Sequence, residues 1–144
     1  MTGDERARRC ADAMWARDDA SKWAGLSLDA VGEGRAVMSL TVAQHHTNGH
    51  DTCHGGVTFL LADSAFAFAC NSRNQIAVAQ ANSITYTAPA RAGDRLTATA
   101  REVSLVGRNG IYDVTVTRQD GTEIAHFRGG SRIIGGTHFE EGTA

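Results

Sequence analysis

Paired cysteines are missing from this sequence: Cys10, Cys53 and Cys70 make an odd count, and no two stand in a CxxC spacing. A secreted disulfide framework uses an even number, so reduced thiols in the cytoplasm are the expectation. Long apolar runs are missing too. The richest, Val57 to Cys70, is interrupted by Asp63 and Ser64 and is too short to cross a bilayer. Met1 to Ala20 alternates Asp, Glu and Arg and has no apolar leader core. No charge of one sign dominates: 16 acidic residues stand against 14 basic ones, a net charge of −2. That balance gives neither nucleic acid nor an anionic membrane an electrostatic reason to bind. Repeats, low-complexity stretches and linkers are absent as well, so one domain over residues 1–144 is expected.

What is present is patterning that changes period along the chain. Ala7, Cys10, Ala11, Met14 and Trp15 follow the spacing of one helical face, which predicts an N-terminal amphipathic helix lying over something larger. From Arg35 to Val42 the period becomes two, with Met38, Leu40 and Val42 on one side. That is a half-buried strand, preceded by a short one around Leu26 to Val31. Gln44 to His54 is polar and rich in His, Asn, Gly and Asp, and reads as a loop. Gly55 to about Asn71 is apolar nearly all round, as in a helix buried on every side.

Strand character then takes over. Ile76 to Thr87 stops short of Pro89, and Ala92-Gly93-Asp94 makes a turn. Arg95 to Val106 and Ile111 to Thr117 alternate, the first with Leu96, Ala98 and Ala100 inward, the second with Tyr112, Val114 and Val116 together. Asn109-Gly110 and Asp120-Gly121 are hairpin signals, and Glu123 to Ile134 is the last strand, followed by a frayed tail. The order is helix, two strands, buried helix, four strands. Only a mostly antiparallel sheet wrapped around the central helix buries that helix, which makes the fold class α+β. So much apolar surface in so small a domain also predicts contact with a second subunit.

The chemistry concentrates where the loop meets the helix. Two glycines opening a helix, Gly55 and Gly56, leave bare N–H groups at the positive end of its dipole. Such a place holds an anion, or an oxygen becoming one. The same glycines also serve a tight entry into the helix with no ligand at all. Asp63 is the only charge between Gly55 and Ser72. A carboxylate there is costly without a role or a partner, and burial raises its pKa toward that of a working base. A polar residue at a subunit seam would look the same.

Asn48-Gly49-His50-Asp51-Thr52-Cys53-His54-Gly55-Gly56, followed by Leu61-Ala62-Asp63-Ser64-Ala65-Phe66-Ala67, closely resembles the hotdog thioesterases of phenylacetate degradation, the PaaI type. The resemblance continues through Ala92-Gly93-Asp94, Tyr112-Asp113 and Phe127-Arg128-Gly129 to Gly136. It implies a hotdog fold and hydrolysis of acyl-CoA thioesters, with phenylacetyl-CoA or hydroxyphenylacetyl-CoA as substrate. It also implies a homotetramer built from dimers, and no metal or organic cofactor. The eight-residue separation of Gly55 and Asp63, about 12 Å of helix, makes the homodimer the expected minimal active unit. By position, Asp63 matches the catalytic carboxylate, acting as general base or nucleophile. Gly55 matches the residue whose N–H polarises the carbonyl, His54 the histidine that orients this turn, and Asn48 an amide that positions substrate or water. Where related thioesterases carry a water-holding serine this chain has Ala79, which leaves that role unfilled.

Other readings have their own signatures. His45, His46, His50, Cys53 and His54 fit no standard zinc spacing. Cys53 has no evident paired base, and Cys70 lies in the apolar helix. Trp15 and Trp23 read as packing anchors. Phe59, Leu60 and Phe66 suit either an acyl pocket or the core. Other medium-chain or aromatic acyl-CoAs, an acyl-CoA hydratase or dehydratase, and a non-catalytic acyl-CoA binding module are the alternative functions.

Overall fold

The computed structural model describes residues 1–142. Helix α1 (Gly3–Trp15) starts from a capping box in which Thr2 accepts from the Glu5 N–H and Glu5 from the Thr2 N–H. Its inward face is Ala7, Cys10 and Ala11, as the spacing predicts. A second helix, α2 (Asp19–Ala24), follows, capped by Asp18 and closed by Gly25 at φ +83°. Six residues are too few to show a helical period, so only the flanking Asp and Gly signal it.

Strands β1 (Ser27–Gly32) and β2 (Arg35–Thr41) precede helix α3 (Gly55–Cys70), and β3 (Ala77–Tyr86), β4 (Arg95–Val106), β5 (Asn109–Thr117) and β6 (Glu123–Ile133) follow it. All pair antiparallel in the order β1-β2-β4-β5-β6-β3. The inner face is built from Met38, Leu40, Leu96, Ala98, Ala100, Val114 and Val116, each at most 1% exposed. Alanines at 98 and 100 let α3 approach the sheet closely, and Leu61, Ala62, Ala65 and Ala69 meet it. This is the sheet wrapped around a central helix that the order of elements predicts, and the hotdog fold that the resemblance implies. Burying one leucine such as Leu61 contributes about 1.5–3 kcal/mol.

Three details differ from expectation. The hairpin joining β4 to β5 turns at Gly107-Arg108, since Val106 already faces Asn109. Gly107, at φ +60°, supplies the turn. Gly110 instead lies under a neighbour, where a Cβ would come within 2.6 Å of the Ser131 hydroxyl. The tail is also tied down: Asn74 accepts from the His138 N–H at 2.8 Å, Arg6 pairs with Glu141, and Arg9 stacks over Phe139. Residues 143–144 lie outside the described part of that tail. Trp15 packs beside Phe68, 6.3 Å between ring centres, whereas Trp23 is 83% exposed and anchors nothing.

β1 and β3 are the two edges of the sheet, and most of the ten residues of β3 are exposed. Among the described residues, no helix is long and apolar enough to cross a membrane.

Candidate active site

His54 folds its ring back over the first turn of α3, and Nδ1 accepts the Gly56 N–H at 2.9 Å. The side chain thus acts as the N-cap, a place usually held by Ser, Thr, Asp or Asn. Its own carbonyl accepts from Val57 and Thr58. The Gly55 N–H is left over: among the described residues it donates to no acceptor. It stands at the positive end of the α3 dipole.

Tyr86 of β3 holds the same turn from the other side, its hydroxyl donating to the Gly55 carbonyl at 2.8 Å. A Cβ on residue 55 would sit 3.1 Å from that ring and hydroxyl. Glycine at 55 therefore serves packing against Tyr86 as well as open access to the N–H. Sequence reasoning missed Tyr86, because nothing in a strand pattern says which helix end its tip will reach. Gly55, Thr58, Tyr86, Pro89 and Ile124 line a cleft of about 450 Å³.

Asp63 lies two turns further along α3 and is half-buried. Asn82 of β3 donates to its Oδ1 at 3.2 Å. Burial pushes the carboxyl above the ordinary range, and the Asn82 hydrogen bond pulls part of the way back. Asn82 is a second residue that the sequence did not flag. It supplies a polar group to the carboxylate from the strand that carries Ala79.

The remaining candidates hold the loop together. Asn48 Oδ1 accepts from the N–H of His50 and from both the N–H and hydroxyl of Thr52. His46 is buried and uses both nitrogens, Nδ1 accepting from the Ala43 N–H and Nε2 donating to the Ala24 carbonyl at 2.7 Å. Neither nitrogen is free for a metal, and among the described residues no three His, Cys, Asp or Glu gather as a metal site. Cys53 sits 3.6 Å from the Thr58 hydroxyl with its thiol pKa raised by burial, and burial pushes Cys70 up to about 12. Neither is a poised thiolate. Phe66 is 1% exposed between Tyr112 and Phe127, so it belongs to the core and to no acyl pocket.

A model of the thioesterase superfamily matches residues 50–125, the stretch that carries Gly55, Asp63, Asn82 and Tyr86. The chain belongs to that superfamily. The acyl-coenzyme A thioesterase PaaI of Escherichia coli (strain K12) is 44% identical over 132 residues, 92% of this chain and 94% of that one. The solved structure of the E. coli PaaI protein from the phenylacetic acid degradation operon shares a TM-score of 0.93 at 43% identity, covering 94% of this chain and 99% of that one. A Streptococcus mutans protein solved with acetyl CoA is 26% identical, with a TM-score of 0.76 over 78% of this chain and 91% of that one. These likenesses agree with the PaaI-type resemblance carried by the motifs.

Proposed function

We propose that this protein is an acyl-CoA thioesterase that hydrolyses phenylacetyl-CoA or hydroxyphenylacetyl-CoA to the free acid and CoA, at sites shared between two subunits. One observation carries the reading. A free N–H at Gly55 and the only carboxylate of α3, Asp63, lie on one unbroken helix. Eight residues of α-helix rise about 12 Å, too far for a base to reach a water attacking a carbonyl held at Gly55. Two antiparallel copies of α3 about a two-fold axis bring Asp63 of one chain toward Gly55 of the other. The exposed β3 edge supports this, since a long open edge is a template for pairing with another chain. A homodimer is then the minimal active unit, assembled further into a homotetramer. The three free thiols suit the cytoplasm.

In this scheme the thioester carbonyl accepts the Gly55 N–H, and the helix dipole stabilises the oxyanion that forms. Asp63 takes a proton from water as the oxygen attacks. The tetrahedral intermediate then expels the CoA sulfur, and the proton passes from Asp63 to that leaving group. His54 fixes the turn that aims the N–H, and Asn48 orders the loop before it. Label from ¹⁸O-water in the product acid alone, after a single turnover, supports this route; label in Asp63 would mean direct attack by the carboxylate.

The test is complementation. Asp63→Asn and Gly55→Val proteins, each inactive, are mixed under conditions that exchange subunits, with assembly verified by sedimentation. A mixed dimer has one doubly damaged site and one intact site. Thiol release from phenylacetyl-CoA should return to about one quarter of the wild-type rate for random pairing of independent sites. No recovery despite verified exchange would place the whole site within one chain.

A further inference from the structure

The turn that carries Gly55 has a cavity on each side. Gly55 faces the cleft of about 450 Å³, among Thr52, Thr58, Tyr86 and Thr87. Gly56, one residue on, faces a separate pocket of about 260 Å³ walled by Trp23, Ala24, Val57 and Leu60 together with the imidazoles of His45, His46 and His54. We infer that this second pocket receives the aryl end of the acyl group, with the Trp23 indole as its platform, while the larger cleft takes the pantetheine arm. The inference rests on the thioesterase reading and extends it to substrate choice.

Three observations carry it. The first is that Trp23 packs against nothing among the described residues of its own chain. It is 83% exposed, the most exposed large apolar side chain among the described residues. An indole normally buries its large apolar area. The second is that the helix bearing it is held firmly by other groups. The Ser21 hydroxyl donates to Asp18 at 2.7 Å and lies 3.3 Å from the Ser64 hydroxyl, so Ser64, beside Asp63, donates to Ser21. His46 grips the Ala24 carbonyl at the other end. Trp23 is thus presented on a fixed mount, which keeps the ordering cost of binding low.

The third observation is size and polarity. Sites for whole drug-sized ligands run to about 300–1,000 Å³, so the Trp23 pocket suits a fragment of the substrate. Trp23, Ala24, Val57 and Leu60 give it apolar surface and the three histidines give it flat faces, both of which suit a ring, and the indole can stack or meet that ring edge-on. The threonine and tyrosine hydroxyls of the larger cleft suit the amides of pantetheine. A carbonyl held at Gly55 stands between the two, so the two arms of one thioester diverge around the first turn of α3.

The experiment compares phenylacetyl-CoA with acetyl-CoA, whose methyl group is too short to reach the indole. In Trp23→Ala the ratio of kcat/KM for phenylacetyl-CoA over acetyl-CoA should fall about tenfold, and Trp23→Phe should restore most of it. A second readout needs no turnover. In a Trp15→Phe background Trp23 is the only tryptophan, and phenylacetate with CoA should quench its emission where acetate with CoA does not. An unchanged ratio or a silent indole, in an enzyme that still releases thiol, overturns the pocket assignment alone. No thiol release from either substrate by the wild type sinks the thioesterase reading instead.

Discussion

The two ends of α3 are built to opposite rules. At the C-terminal end the capping side chain is used to the full. Asn71, 4% exposed, donates from Nδ2 to the carbonyls of Ala67 and Ala77 and accepts at Oδ1 from the Ala77 N–H and from His138. At the N-terminal end the chain stops short of satisfying itself. Gly55 keeps a free N–H, His54 caps from an exposed position, and two cavities flank the turn. One end stores stability, and the other withholds it, which in the proposed scheme leaves the thioester oxygen to supply the missing acceptor. The same helix thus separates folding from chemistry by its own length.

Mutations that belong to one rule should leave the other alone. The largest effect is expected for Asp63→Asn, with a loss of roughly 10²–10⁴-fold in kcat and an intact fold. Its stability carries a sign of its own. A carboxyl whose folded pKa is raised stabilises the fold below its unfolded value, and that contribution is lost as pH rises through the folded value. At pH 7 the Asn variant should therefore melt higher than wild type, and the advantage should vanish below the ordinary value of 3.8. A lower melting temperature at pH 7 would mean that the charged form of Asp63 is stabilised by a partner. The rate of the wild type should fall on acidification at a pH above the ordinary carboxylate range.

Next comes Asn71→Ala, which strands the N–H and carbonyl of Ala77. Its cost should be about 2–4 kcal/mol in urea unfolding, with kcat on the surviving fold within about twofold. A kcat loss as deep as that of Asp63→Asn would break the contrast between the two ends. The smallest effect belongs to His54→Ala. Losing a helix cap costs about 1 kcal/mol, which in a transition state is about fivefold in kcat/KM. Should stability fall by that amount with turnover untouched, His54 caps the helix without aiming the Gly55 N–H.

Most of the fold was legible in the sequence because period reports burial directly. The alternation at Leu96, Ala98 and Ala100 is what one-sided burial produces, and the all-round apolarity of Gly55 to Asn71 is what enclosure produces. The misreadings have physical causes. Asn109-Gly110 carries the usual hairpin dipeptide, yet the Ser131 side chain demands a glycine there for space. The tail beyond Gly135 has no period to read, since it is held by side chains distant in sequence such as Arg6 and Asn74. At the site, a free backbone donor and a lone carboxylate are local properties, so Gly55 and Asp63 stood out. Tyr86 and Asn82 matter through which atoms they meet across elements, which register sets, and Trp23 enters the proposal through its exposure, which helix placement sets. A β-strand tyrosine and a helix tryptophan look like core residues until their exposure is known.

The clamp between Arg6 and Glu141, with Arg9 stacked on Phe139, brings the first helix and the last described residues to the same corner. Sixteen residues of α3 put that corner about 24 Å from the free N–H of Gly55. In the proposed scheme that corner lies at the far end of α3 from the incoming thioester. The nearness of α1 to the last described residues also makes the chain a candidate for circular permutation. A short linker joining them, with new ends opened at the exposed Asp120-Gly121 turn, would leave both cavities and the β3 edge as they are.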